Sequence, residues 1–383
     1  AQMIEHWSYT VEKHDVTTED GYILSMLRIP HGRVDREMAS NSSCHRPPIL
    51  LIHGMMQDAS AYVLNPPESS PGMILADAGF DVFLLNVRGT FDSQRHQKLK
   101  SSDGEFWKFT MDDMARYDGP AAIDKALFLN GASALYLVGH SRGTFVSNMM
   151  LAERPEYNKK VKALFELAPP ATGRGVRGLT GLTVSLLPRI MPLLNMYKTF
   201  LGSHEIGFHY PWLIGEGARL FCGGPFQMVC SFALSLSIGP PAKTYNWSRM
   251  PVYYSHIFIS VSSWDYLQLA QHVLKDAVYH FDVSPSDNMK RYGQFAAPPY
   301  NYSLIDTDVY LIWSRNDVLL PPGGIEKWYR NNTRPGVLKG VIEVPEYNHM
   351  DFVMATDVGD RWVKKMIGIV KSKEEKGSCV NRN

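Results

Sequence analysis

Short apolar runs alternate with segments of helical spacing along the first 170 residues of the chain. Five of these runs predict strands buried on both faces, at residues 21–30, 47–54, 81–89, 134–139 and 161–169. Three segments between them have the spacing of helices, at residues 71–80, 111–130 and 144–153. Because buried strands separated by helices are typical of parallel sheets, the pattern predicts a mostly parallel central sheet with right-handed crossovers.

This alternation stops near residue 170 and returns only near residue 307. The intervening segment contains Gly, Pro and long apolar helical stretches, whereas strand patterns reappear at 307–314 and 340–346 and a last helix is predicted at 359–370. A chain of 383 residues is also long for one compact core. We therefore expect an α/β core whose first part is 1–170 and second part 303–383, interrupted by a mostly helical cap at 171–302.

Composition excludes several classes of function. The net charge is +1 and 20% of residues are charged, so no basic face for nucleic acid is indicated. A G-x-G-x-x-G run at 173–178 lacks the following acid that a dinucleotide site needs, since no Asp or Glu lies between Glu166 and Glu205. The histidines of the run at 204–209 are one residue too far apart for a zinc helix. We expect no metal, no cofactor and no nucleic-acid partner.

Four N-x-S/T tripeptides lie among polar or turn-forming residues, and they begin at Asn41, Asn246, Asn301 and Asn331. We expect these to be glycosylation sites, which favours the secretory pathway and an extracellular or lysosomal protein. The four cysteines permit two disulfides without requiring them. The chain opens AQMIEHWSYT, without the apolar segment of a signal peptide, so we expect the mature form.

The run GHSRG at residues 139–143 matches G-x-S-x-G, the pattern of a nucleophile elbow. A predicted strand precedes it and a predicted helix follows it, which is the context that this motif requires. There a serine stands on a sharp turn with its hydroxyl exposed above the sheet, and glycines avoid clashes within the turn. We therefore predict Ser141 as the nucleophile of a serine hydrolase.

A serine nucleophile in this context needs an acid and a base later in the chain, in the order serine, acid, histidine. Asp317 directly follows the predicted strand at 307–314 and precedes a loop. Asp306 and Asp308 precede or begin that strand and would lie at its other end. Asp317 is therefore the predicted acid, and its role is to hold the tautomer and orientation of the histidine.

His349 follows the strand at 340–346, whereas His272 and His280 lie in the predicted cap. We predict His349 as the base that takes the Ser141 proton and returns it to the leaving alcohol. Two backbone N–H groups should form the oxyanion hole: that of Arg142, after the nucleophile, and that of Met55, after an early strand. Since main-chain groups donate, the side chains at these positions are expected to tolerate variation.

These motifs together resemble the acid lipase family of α/β-hydrolases, which includes gastric lipase and lysosomal acid lipase. The resemblance covers nearly the whole chain and is carried by VTTEDGYILSMLRIP, LIHGMMQDASAYVLN, ILADAGFDVFLLNVRGT, FWKFTMDDMARYD, YLVGHSRGT, FELAPPAT, IWSRNDVLLPP and YNHMDF. It implies the same triad and oxyanion donors, and a cap disulfide between Cys222 and Cys230. Whether Cys44 and Cys379 also pair stays open. The family usually has Gln in place of Arg142, differs at residues 90–95 and matches poorly over 171–265.

The cap adds an expectation about substrate. Between Leu167 and Trp264 it holds seven basic residues and two acids, on a stretch rich in Leu, Met, Phe and Pro. We expect a lipase that hydrolyses triacylglycerols, with sterol esters as further neutral-lipid substrates, and that binds a lipid–water interface or membrane surface. The alternatives are a general carboxylesterase of the same fold and a catalytically inactive lipid-binding protein.

Overall fold

A computed structural model describes residues 1–33, 44–172, 175–183, 186, 189–190, 204–207, 211–222, 226–320 and 325–381. Its strands are β1 Glu12–Thr17, β2 Tyr22–Ile29, β3 Pro48–Ile52, β4 Asp81–Asn86, β5 Arg95–His96, β6 Leu135–His140, β7 Val161–Leu167, β8 Glu205–Ile206, β9 Val261–Ser262, β10 Asp308–Trp313 and β11 Leu338–Glu343. All the predicted strands are present. Asn41 and parts of the runs at 173–178 and 204–209 lie outside the described residues.

Nine of the eleven described strands form one large sheet with the order β1-β2-β4-β3-β6-β7-β10-β11, in which β5 adds a short pair with β2. From β4 to β11 every neighbouring pair is parallel, and the pairs that involve β2 are antiparallel. The predicted mostly parallel central sheet is therefore confirmed. Its parallel part brings the carboxyl ends of β3, β6, β7, β10 and β11 to one edge.

Helices cover both faces of this sheet. Those of the core are α1 Gln2–His6, α2 Pro71–Asp77, α3 Met111–Asp113, α4 Gly119–Asn130 and α5 Arg142–Glu153. Later in the chain come α6 Pro211–Cys222, α7 Gln227–Ile238, α8 Met250–Ser255, α9 Ser263–Lys275, α10 Pro285–Tyr292, α11 Ile325–Asn332, α12 Asp351–Met354 and α13 Lys364–Lys373. A π-helical turn, Met114–Asp118, joins α3 to α4.

Strand β3 shows how the apolar runs build the core. Ile49 and Leu51 pack into the cluster on one face of the sheet, and Leu50 and Ile52 into the cluster on the other. All four side chains are at most 1% exposed. Because successive strand residues point to opposite faces, an uninterrupted apolar run is what a strand covered on both sides needs.

The predicted cap leaves and re-enters the sheet at adjacent places. Strand β7 ends at Leu167, and the next strand of the large sheet, β10, pairs beside it in parallel. Between them the described residues contain helices α6 to α10 and the small pair β8–β9. One disulfide joins Cys222 to Cys230 within this segment, and a second joins Cys44 to Cys379. The division at 170 and 302 stays our interpretation.

Candidate active site

Ser141 lies on the turn between β6 and α5 in a conformation that few residues adopt. Its φ is 52° and its ψ is −116°, which stores backbone strain. A Cβ on Gly139 would lie 2.8 Å from the backbone of Gly143, and a Cβ on Gly143 would lie 2.3 Å from the carbonyl oxygen of Ile52. Both glycines of the motif are thus required by close backbone packing, and the turn presents the serine at the carboxyl edge of the sheet.

The structure brings Ser141, Asp317 and His349 together from three separate segments. His349 Nε2 lies 2.7 Å from Ser141 Oγ, and His349 Nδ1 lies 2.7 Å from Asp317 Oδ2. The carboxylate can only accept, so Nδ1 donates to it and Nε2 is free to accept the serine hydroxyl. Asp317 and His349 are 1% and 4% exposed, which shields both hydrogen bonds from water.

The rejected acids and histidines lie elsewhere. Asp308 is at the amino end of β10 and pairs with Lys373 at 2.5 Å. His272 is buried on helix α9 of the cap segment, where its Nε2 lies 2.8 Å from the carbonyl oxygen of Tyr279, and burial lowers its pKa to about 4. His280 contacts neither Ser141 nor Asp317, since it stacks on Tyr300. Chain order therefore selected an acid and a histidine that contact each other, and this histidine also contacts the serine.

The two predicted oxyanion donors border one small cavity with the serine. Met55, Ser141, Arg142 and His349 line a space of about 60 Å³. In the part of the chain that the structure describes, the backbone N–H groups of Met55 and Arg142 donate to no protein acceptor. The rest of the cavity wall is mostly apolar and includes Phe145, Pro170, Val176, Thr180, Leu269, Val273 and Leu319. Val176 and Thr180 come from the segment directly after residue 170, so this part of the cap covers the serine.

Sequence reasoning missed the polar groups behind the histidine. His140, the second residue of the motif, is fully buried, with Nε2 3.0 Å from the carbonyl oxygen of His349 and Nδ1 3.1 Å from Gln57 Oε1. Burial lowers its pKa to about 3, so the ring is neutral and donates from one nitrogen only. His140 and Gln57 lie in motifs already noted, but only the fold shows that they support the loop of His349.

Comparison with known proteins identifies the family of the chain. The model of a partial α/β-hydrolase lipase region matches residues 1–66, and that of the α/β-hydrolase fold matches residues 47–177. The chain is 33% identical to lipase lipl-3 of Caenorhabditis elegans, over 92% of this chain and 86% of the relative. It is 33% identical to human lipase member K, over 93% and 86%, and 32% identical to bovine gastric triacylglycerol lipase, over 97% and 90%.

Solved structures support the fold. An epoxide hydrolase from Vigna radiata superposes with a TM-score of 0.51 at 16% identity, over 94% of this chain and 98% of its own. A putative lipase from Acinetobacter baumannii also gives 0.51, at 12% identity, over 97% and 95%. Likeness at this level shows an α/β-hydrolase fold and does not choose a reaction. The named relatives, which are 32–33% identical over most of the chain, do show the family: this chain belongs to the acid lipases of the gastric and lysosomal type.

Proposed function

We propose that this lipase-type hydrolase cleaves carboxylic esters of neutral lipids, triacylglycerols first and sterol esters second, with Ser141, His349 and Asp317 as its catalytic triad. The observation that supports the triad most strongly is the pair of 2.7 Å contacts that join the three side chains. The family and the named triacylglycerol lipase among its members support the substrate class.

In the proposed reaction His349 Nε2 accepts the hydroxyl proton while Ser141 Oγ attacks the ester carbonyl carbon. The negative oxygen of the tetrahedral intermediate accepts from the N–H groups of Met55 and Arg142. The intermediate collapses when His349 returns the proton to the leaving alcohol, which leaves an acyl group on the serine. Water then attacks that acyl group by the same route and releases the fatty acid. Asp317 stabilises the imidazolium in both steps without taking its proton.

A pH–rate profile on emulsified triolein and cholesteryl oleate tests this proposal, with Ser141→Ala as the matched variant. We expect the variant to lose turnover and labelling by a fluorophosphonate, and to keep the thermal stability of the parent. Turnover by Ser141→Ala above background would remove the serine from the mechanism. Failure of the parent to hydrolyse any ester, or to be labelled, would favour the lipid-binding alternative.

The walls of the cavity support long acyl chains. Phe145, Leu269, Val273 and Leu319 offer apolar surface next to the serine, and few polar groups are there to bind a small soluble ester. We therefore expect kcat/KM to rise from acetate to octanoate and longer esters of one alcohol. A preference for acetate would favour the carboxylesterase alternative.

A large apolar surface on α6 and α7 supports binding at a lipid–water interface. Seven side chains there are between 56% and 82% exposed: Leu213, Leu220, Phe221, Phe226, Met228, Val229 and Phe232. Clustered exposed residues of this size are unusual on a protein that meets only water. Within the described residues no single helix could span a membrane; only α7 with residues 215–222 has sufficient apolar length, and that pair bends by 117°. We therefore propose that this surface lies flat on lipid.

The cap's positive charge contributes less to that surface than its composition indicates. Arg177 and Arg249 donate to backbone carbonyls of the core, and Arg219 pairs with Glu216. We expect Phe232→Ser to weaken adsorption to neutral liposomes, and Phe128→Ser, which changes a still more exposed ring on α4, to leave adsorption intact. Equal adsorption of the two variants would refute the assignment of this surface.

Disulfides and gastric-type relatives indicate a protein of the secretory pathway. We propose an extracellular or lysosomal location. Three of the four proposed glycosylation sites are described: Asn301 and Asn331 are exposed and Asn246 is partly exposed. Reporter fusions of the full precursor would distinguish the two compartments.

A further inference from the structure

The side chain of Arg142 is buried beside the nucleophile and spans two parts of the fold. Its guanidinium is 3% exposed, and Nη1 donates to Asp265 Oδ2 at 2.6 Å. Asp265, on helix α9 of the cap segment, is fully buried. Nη2 donates to the carbonyl oxygen of Gly54 at 3.3 Å. A buried charge of this kind is costly unless it is paired, so the ion pair with Asp265 is what keeps the guanidinium at this position.

The hydrogen bond from Arg142 to the carbonyl oxygen of Gly54 matters because that carbonyl shares a peptide group with the N–H of Met55. The carbonyl of Gly54 and the N–H of Met55 belong to one planar trans peptide and point in opposite directions. Fixing the oxygen therefore fixes the direction of the N–H that we assign to the oxyanion hole. Arg142 donates to the oxygen of Gly54 from one side of the peptide. The N–H of Met55 therefore points to the other side, and Met55 lines the cavity of Ser141.

Other contacts hold the same loop. His53 Nε2 accepts from the N–H of Val87, so its proton is on Nδ1, which donates to the carbonyl oxygen of Gly54 at 2.8 Å. Burial lowers the pKa of His53 to about 3 and keeps the ring neutral. The N–H of Gly54 donates to Gln57 Oε1 at 2.9 Å. His53 and Arg142 together supply both hydrogen bonds that the Gly54 carbonyl oxygen can accept.

We propose that Arg142 and Asp265 are positioning residues: their ion pair orients the Gly54–Met55 peptide so that the Met55 N–H faces the developing oxyanion. The cap segment thereby holds the oxyanion loop, to which the N–H of Ile259 also donates at the carbonyl oxygen of Met56, at 3.0 Å. This inference rests on the proposed function, since it requires an oxyanion at Ser141. It also gives a role to the side chain of Arg142, whereas the sequence analysis assigned a role only to its backbone N–H.

Arg142→Met tests the proposal on a soluble short-chain ester, which avoids effects of the interface. Removing one oxyanion donor costs on the order of 10²–10³ in kcat, and misdirecting one costs part of that, so we expect kcat to fall about 10- to 100-fold. KM should change less than about twofold, because the oxyanion exists only after attack. Affinity for an aryl boronic acid, which forms a tetrahedral anion on the serine, should fall with kcat.

Two further variants separate positioning from folding. Arg28→Met removes an ion pair with Asp81 far from the site, and it should lower Tm and leave kcat intact. Arg142→Met/Asp265→Leu removes both buried charges, so it should recover Tm and still show the low kcat. Parental kcat and boronic acid affinity in this folded double variant, with Ser141→Ala inactive, would overturn the inference. Activity in Ser141→Ala would instead overturn the proposed function, and the inference with it.

Discussion

Glu166 gives this protein a pH-dependent stability whose size can be worked out. It lies on β7 and is fully buried, where its carboxyl group accepts from Asn148 Nδ2 at 2.5 Å and contacts the hydroxyl of Tyr329. No cation faces it in the described structure, so burial dominates and raises its pKa from 4.5 to about 8. The carboxyl group is therefore protonated in the folded chain at neutral and acidic pH.

The sign follows from proton binding. Between pH 4.5 and about 8 the unfolded chain has lost this proton and the folded chain retains it, so the free energy of unfolding falls as pH rises. The stabilisation is complete below the unfolded pKa and is lost as pH rises through the folded pKa. A shift of this size corresponds to an upper limit of about 5 kcal/mol, at about 1.4 kcal/mol per pKa unit.

Glu166→Gln preserves the shape and the neutral state of the buried group, so it should remove this pH dependence. We expect the variant and the parent to unfold in urea with similar free energies at pH 4.5, and the variant to be more stable by several kcal/mol at pH 9. Glu343→Gln is the control, since Arg315 shifts the pKa of that partly exposed carboxyl group in the opposite direction, downwards, so its substitution should not stabilise the protein at pH 9. A difference between Glu166→Gln and the parent that does not vary with pH would refute the reasoning.

Three further changes test the site and the surface. Asp317→Asn should lower kcat on a soluble ester by about 10⁴ with Tm nearly unchanged, and parental kcat would remove the acid from the mechanism. Gly143→Ala places a Cβ 2.3 Å from a backbone oxygen, so thermal unfolding should show a loss of about 1–3 kcal/mol or more. Partial enzymatic deglycosylation of the secreted protein should lower its mass in steps, one for each glycan. Asn246→Gln, Asn301→Gln and Asn331→Gln should each remove one of these steps. A variant that keeps every step would show that its substituted asparagine carries no glycan.

The sheet could be predicted because its strands are covered on both faces. Apolar runs such as β3 and β4 need no partner to be recognised, since every residue of the run is buried. Strand β1 was missed for the opposite reason. Its sequence, EKHDVT, contains partly exposed and exposed residues apart from one buried valine, so no apolar pattern marks it. It forms a strand by pairing in antiparallel with β2. Strands of this kind depend on tertiary pairing more than on their own pattern.

The contacts among Ser141, His349 and Asp317 were predictable because the fold fixes the order of these residues and places each one just after a strand. Pairings between segments that are distant in sequence have no such rule. Four cysteines allow three pairings, and the bond between Cys44 and Cys379 joins residues 335 positions apart. Likewise, nothing in the local sequence of Asp265 indicates that it faces Arg142, 123 residues earlier.

The expectation that the side chain at 142 could vary followed from the premise that a backbone group is the oxyanion donor. It was incomplete because a donor has a direction as well as a position, and a loop peptide can rotate. In this chain His53 and Arg142 both donate to the oxygen of Gly54, at the other end of that peptide, and our proposal is that these bonds set the direction of the Met55 N–H. A substitution at 142 is therefore neutral only if another group bonds to that oxygen, and the buried carboxylate of Asp265 must change with it because it would lose its counter-ion.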